Sequence, residues 1–199
     1  MLSGILILVW VICVAMLWNE GMWNNCITLI NVILSAMLAM NYYEPVASFL
    51  DEKQPSYTFV FDYLSIWFVF FLSYIILRAI TDSLSKHRVK FIMPIEQAGR
   101  VISVLAIGWV MVCLTLTSLH TAPLARTAIR GTFQPEPMSN NFLGMAPDRM
   151  LLGFVQHRSK NAFANSPPTP FDPRGEYIFK YGGRRQLFSE QEAVRVNNR

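Results

Sequence analysis

Residues 34–45, LSAMLAMNYYEP, pass from small apolar side chains into a tyrosine pair, an acid and a proline. That passage reads as a helix leaving a membrane, because a tyrosine ring favours the headgroup region, where its body stays apolar and its hydroxyl wet. Tyr42 and Tyr43 then mark a boundary and Glu44 is a border acid just outside it. Pro45 is expected to end the helix, since it removes a backbone donor and crowds the preceding turn.

The surrounding sequence agrees with a lipid environment. The chain has 199 residues, 53% hydrophobic and only 15% charged, with a mean hydropathy of +0.33, whereas soluble domains carry about 25% charged residues. The charge is unevenly placed: none from Met1 to Leu17, Gly21 to Tyr43, Tyr63 to Leu77, or Val101 to Leu119. A spanning helix needs about 20 mainly apolar residues. Four spans are therefore expected, at about 2–18, 22–43, 58–77 and 100–119. The first lacks the basic start and small-residue cleavage site of a secretory signal, so it is read as a retained helix. The short link from Trp18 to Asn24 predicts a tight antiparallel hairpin of the first two spans. Cys13, Cys26 and Cys113 lie in or beside apolar runs without metal-ligand spacing and read as buried small side chains.

Lipid is as apolar as leucine, so small and weakly polar residues must hold spanning helices together. Thr28, Asn31, Ser35 and Ala39 recur at spacings of three and four on one face of the second span. Gly99, Ser103, Ala106, Cys113 and Thr117 trace a similar stripe on the fourth. Both stripes suit close helix packing; the same faces would also suit a pore wall. The aromatic third span, with Phe68, Phe70, Phe71 and Tyr74 on several sides, is expected to meet lipid and neighbouring helices.

RAITDSLSKHRVKFIMP, residues 78–94, joins the third and fourth spans. Leu77, Ile80 and Leu84 recur at helical spacing, so the third helix is expected to continue as an amphipathic stretch, with Arg78, Lys86, Arg88 and Lys90 available to anionic headgroups. A solvated, orientation-setting loop fits this segment equally.

After His120 the composition changes: eight of the eleven prolines follow it, and the tail holds 11 Lys plus Arg against 6 Asp plus Glu. A Pro-rich, largely irregular tail over 121–199 is expected, with a short helix at 147–160 starting on Pro147 and a brief hairpin around Gly182 and Gly183. No HExxH, P-loop, GxGxxG or nucleophile-elbow pattern is present, and His87, His120 and His157 sit in separate segments. A non-enzymatic protein without cofactor or metal is expected. Its partners would be the lipid bilayer and membrane proteins or further copies of itself, with no nucleic acid.

A glycine-linked pair of spans, ILSAMLAMNYYEPVASFL closing the second, LRAITDSLSKHRVK after the third and IEQAGRVISVLAIGW opening the fourth resemble the CvpA family, the colicin V production proteins. Glu96, Gly99 and Gly108 stand where that family's pattern has an Asp and glycines; here Glu replaces the Asp and no basic residue follows Gly21. The resemblance covers residues 1–120. It implies a small, multi-pass protein of the bacterial inner membrane, a scaffold or accessory factor in toxin production, export or envelope homeostasis. A small channel or transporter is the rival reading.

Basic residues in short loops stay cytoplasmic. The 44–62 link holds one Lys against four acids, and the 78–100 link holds five Lys plus Arg. The latter is therefore expected inside, with both termini outside. Arg126 and Arg130, close to the fourth span, argue for the reverse.

Overall fold

The computed structural model describes residues 2–54, 58–85, 91–124, 142–160 and 170–190. The chain is all-helical there: α1 (Leu2–Leu17), α2 (Met22–Lys53), α3 (Thr58–Leu84), α4 (Met93–Thr121), α5 (Pro147–Lys160) and α6 (Tyr177–Glu190). Among the described residues there is no strand, only an isolated bridge between Phe142 and Met145. Helices follow from the apolar runs, since a segment in lipid must satisfy every backbone group within itself. Three helices are long and apolar enough to cross a membrane, over Met22–Lys53, Val60–Leu84 and Met93–Thr121. Apolar α1 is shorter, at 16 residues.

Pro45 does not end α2, which runs on to Lys53. A proline inside a helix costs a hydrogen bond and local crowding. Packing on either side of it holds the helix together, for Tyr43 and Ala47 are both buried. The third helix does extend past the apolar run, to Leu84.

α2 and α4 run parallel: Met22 lies against Gly99, and Cys26 Sγ is 3.4 Å from Ser103 Oγ. α3 runs antiparallel to α2, bringing Arg78 to Asn24 and Thr28. The short link at 18–21 does not press α1 onto α2. Instead α1 lies antiparallel along α4, where Trp10 Nε1 donates to the Leu105 carbonyl at 3.2 Å and Leu2 and Leu6 pack with Val112 and Leu116. Gly108 permits this: a Cβ there would fall on the Trp10 indole, as one at Gly99 would fall on the Met22 thioether. Small residues are what let helix backbones approach where lipid supplies no hydrophobic drive.

Polar residues collect at two levels. Asn24 and Glu44, Asp82 and Asp62, and Arg100 and His120 are each twenty positions apart on their helices, a rise of about 30 Å, which matches the hydrocarbon thickness of a bilayer. One level holds Trp18–Gly21, Ser85 and the start of α4, and the other, the tail level, holds the start of α1, the start of α3 and the end of α4.

The tail holds the short helix expected at Pro147–Lys160, α5, and a second not expected from the sequence, α6. Both α5 and α6 join the main core, with Leu151, Leu152, Val155, Tyr177, Ile178 and Tyr181 buried among α2, α3 and α4 residues. The hairpin expected at Gly182 and Gly183 is instead the middle of α6. Asp172 starts this helix by accepting from the backbone N–H groups of Glu176 (2.8 Å) and Tyr177 (3.1 Å). Tyr177, Tyr181 and Arg185, spaced at fours, then bury one face, and that packing outweighs a glycine penalty of about 1 kcal/mol per residue. The proline-rich stretch 161–169 lies outside the described residues.

Candidate functional site

At the tail level three helices meet on one histidine. His120, in the last turn of α4, places Nε2 2.9 Å from Asp148 Oδ2 in the first turn of α5, and Nδ1 3.0 Å from Arg185 Nη1 on α6. All three residues are buried. A guanidinium only donates, so Nδ1 must accept. The ring proton is thereby assigned to Nε2, which donates to the Asp148 carboxylate. Burial alone would raise the Asp148 carboxyl, but the hydrogen bond from His120, with the backbone N–H and charge of Arg149, takes it below its ordinary value. The α5 N-terminus favours the same ionised form.

Beside it runs a second network. Tyr43 OH lies 3.2 Å from Glu44 Oε1 and 3.2 Å from Tyr181 OH, and Tyr181 OH lies 3.2 Å from Asp62 Oδ2. Two hydroxyl protons thus serve three contacts. Arg184 pairs with Asp62 and Lys180 Nζ with Glu44 Oε1 at 3.0 Å. Burial, followed by the Asp62 charge, raises the Tyr181 hydroxyl well above its ordinary value, despite its hydrogen bond to Tyr43 and the charge of Arg184. Tyr177 is raised in the same direction, again chiefly by burial. Glu44 is therefore more than a border acid: it anchors α6.

The residues selected from the sequence occupy the helix seams and the opposite level. Thr28, Asn31, Ser35 and Ala39 are all buried in the bundle, Thr28 accepting from Arg78 Nη1 at 2.8 Å and Asn31 Nδ2 donating to Thr81 Oγ1 at 2.9 Å. On α4, Gly99 faces Met22, Ser103 is buried beside Cys26, and Ala106 is half-buried. Glu96 accepts from the Met22 backbone N–H at 2.8 Å and so caps α2 from another helix. Arg78 points into the protein: it also binds Asn24 Oδ1 at 2.8 Å and Asp82 Oδ2 at 3.0 Å. Lys86, Arg88 and Lys90 lie outside the described residues.

The sequence reading missed His120, Asp148, Arg185, Asp62 and Tyr181. Its one signal was a histidine closing the uncharged 101–119 run; the partners lie 28 and 65 positions away. Chemically, the tail level is a set of charges and hydroxyls satisfied across helices, which fastens the tail to the ends of α2, α3 and α4.

A family model described as colicin V production protein matches residues 2–140. No curated protein and no solved structure gives a significant match.

Proposed function

We infer the function from one premise: the chain belongs to the colicin V production protein family. On that footing it is a multi-pass membrane protein of the bacterial inner membrane, with α1 as a fourth, minimal span beside α2, α3 and α4. It serves as a non-enzymatic scaffold or accessory factor in toxin production or export and in envelope homeostasis.

The observation that carries the reading is where the polar groups of the spans go. Asn31 donates to Thr81, Arg78 donates to Thr28, and Cys26 Sγ meets Ser103 Oγ across the helix seams, as expected of a packed bundle held by its own side chains. The large apolar residues Ile7, Leu8, Val11, Phe68, Phe71 and Ile75 are exposed around it and suit lipid or a membrane-protein partner. α1 is read as a span because it runs along α4 toward the opposite level, where Arg100 lies over the Trp18 ring.

Deletion of the gene in a colicin V-producing bacterium tests the role. Secreted toxin should fall while intracellular toxin stays at its normal level, and the wild-type gene should restore secretion. Unchanged secretion would remove the toxin part of the reading. Solute flux in proteoliposomes that Asn31→Leu abolishes would favour the channel instead.

A further inference from the structure

Beside the tail helices lies a groove that neither the family match nor the role above assigns. It has a volume of about 220 Å³ and lies between α2 (Ile33, Ala36), α4 (Val110, Cys113) and α5 (Met150, Phe154). Among the described residues no charged, amide or hydroxyl side chain lines it. Met150 and Phe154 are 51% and 38% exposed, so its α5 wall faces outward.

Depth decides what can reach it. Ile33 and Ala36 precede Glu44 by eleven and eight positions, which puts them about 16 and 12 Å inside the tail-level boundary. At that depth the surrounding solvent is acyl chain. Both ends of α5 lie near the boundary: Asp148 meets His120 at one, and at the other Gln156 Nε2 donates to the Asp172 carbonyl, where Asp172 shares a cavity with Glu44 and Pro45. Arg158, two residues on, holds its guanidinium 5.4 Å from the Phe154 ring centroid, and Arg158 and Lys160 are both exposed. Two acids at this boundary are already engaged, Glu44 by Lys180 and Asp172 by the α6 N-terminus. An apolar slot within the hydrocarbon thus has one basic side chain, Arg158, beside its Phe154 wall.

We propose that this groove is a binding site for an anionic phospholipid, with one acyl chain between α2, α4 and α5 and the phosphate at Arg158. The chain of contacts from Phe154 to Arg158 couples the two parts of the ligand. The site rests on the spans proposed above, and labelling of positions 52, 85 and 174 from one side would remove those spans without bearing on lipid retention, so the two failures are distinguishable.

The test is native mass spectrometry of the full-length protein, released from detergent after exposure to phosphatidylglycerol or to phosphatidylcholine of the same chain length. Phosphatidylglycerol should be retained about fivefold or more over phosphatidylcholine, the preference expected from ~1 kcal/mol per basic residue near the surface. Arg158→Glu, at an exposed position, should remove most of that preference. Val110→Trp, which fills the groove, should release both lipids at unchanged helicity. Met150→Lys, on the exposed wall, serves the same purpose if Val110→Trp does not fold. Equal retention of the two lipids by the wild type, or wild-type retention by the groove variants, would overturn the proposal.

Discussion

Arg185 of α6 donates to Nδ1 of His120 at 3.0 Å, and in doing so selects the tautomer with which His120 faces Asp148. The two contacts are therefore one unit, and removing any member takes a hydrogen bond from a buried polar group. Asp148→Ala and Arg185→Ala should each cost about 3 to 5 kcal/mol, the range for breaking one side of a buried charged pair. The double variant should cost clearly less than the sum. Hydrogen exchange over 177–187 reads the undocking of α6; additive losses would show that the two contacts act separately.

Acid should loosen the same joint. Asp148 titrates below its ordinary value of 3.8 in the fold, so its stabilisation is complete above that value and is lost as pH falls through the lower folded value. A proton on Nδ1 of His120 would oppose the Arg185 donor and act in the same direction. Limited proteolysis between α4 and α6 should accelerate below pH 4 in the wild type. Asp148→Asn should flatten that acid step; an unaltered step would assign it to other carboxylates.

Ser35 and Ala39 are fully buried on the α2 seam. Replacing either with Leu should destabilise the bundle by about 1 to 3 kcal/mol through overpacking. Thermal unfolding in detergent measures it, and unchanged midpoints for both would show that the seam tolerates separation.

Gly108→Leu should lift α1 from α4, because the new side chain takes the place of the Trp10 indole. A disulfide introduced between positions 6 and 112, whose side chains share one apolar cluster, should form readily in the parent and poorly in the variant. Equal formation would mean that α1 re-seats elsewhere.

Orientation is read from thiols. In a cysteine-free version, single cysteines at Glu52, Ser85 and Arg174 should give labelling at 52 and 174 and protection at 85 when intact cells meet an impermeant maleimide. The opposite pattern would place the basic 78–100 link outside.

Helical character and the apolar spans were legible because both follow from local composition. Where helices end was less so: Pro45 looked like a terminus, yet packing of Tyr43 and Ala47 carries α2 to Lys53. Glycines 182 and 183 suggested a turn, yet Asp172 and the buried Tyr177, Tyr181 and Arg185 impose a helix. The small-residue stripes could be read from spacing alone. Arg78 was read as a lipid contact because no sequence rule tells which way a boundary arginine turns; it turns toward Asn24 and Thr28. The His120 joint was illegible because its members are distant in sequence and each is ordinary alone.

Glu96 capping α2 also fixes an order in time. The carboxylate that accepts from Met22 N–H is made 74 residues after its partner, so on the ribosome α2 enters the membrane with its first turn unfinished and is completed only when α4 arrives. A nascent chain arrested before residue 96 holds α2 in that open-ended state.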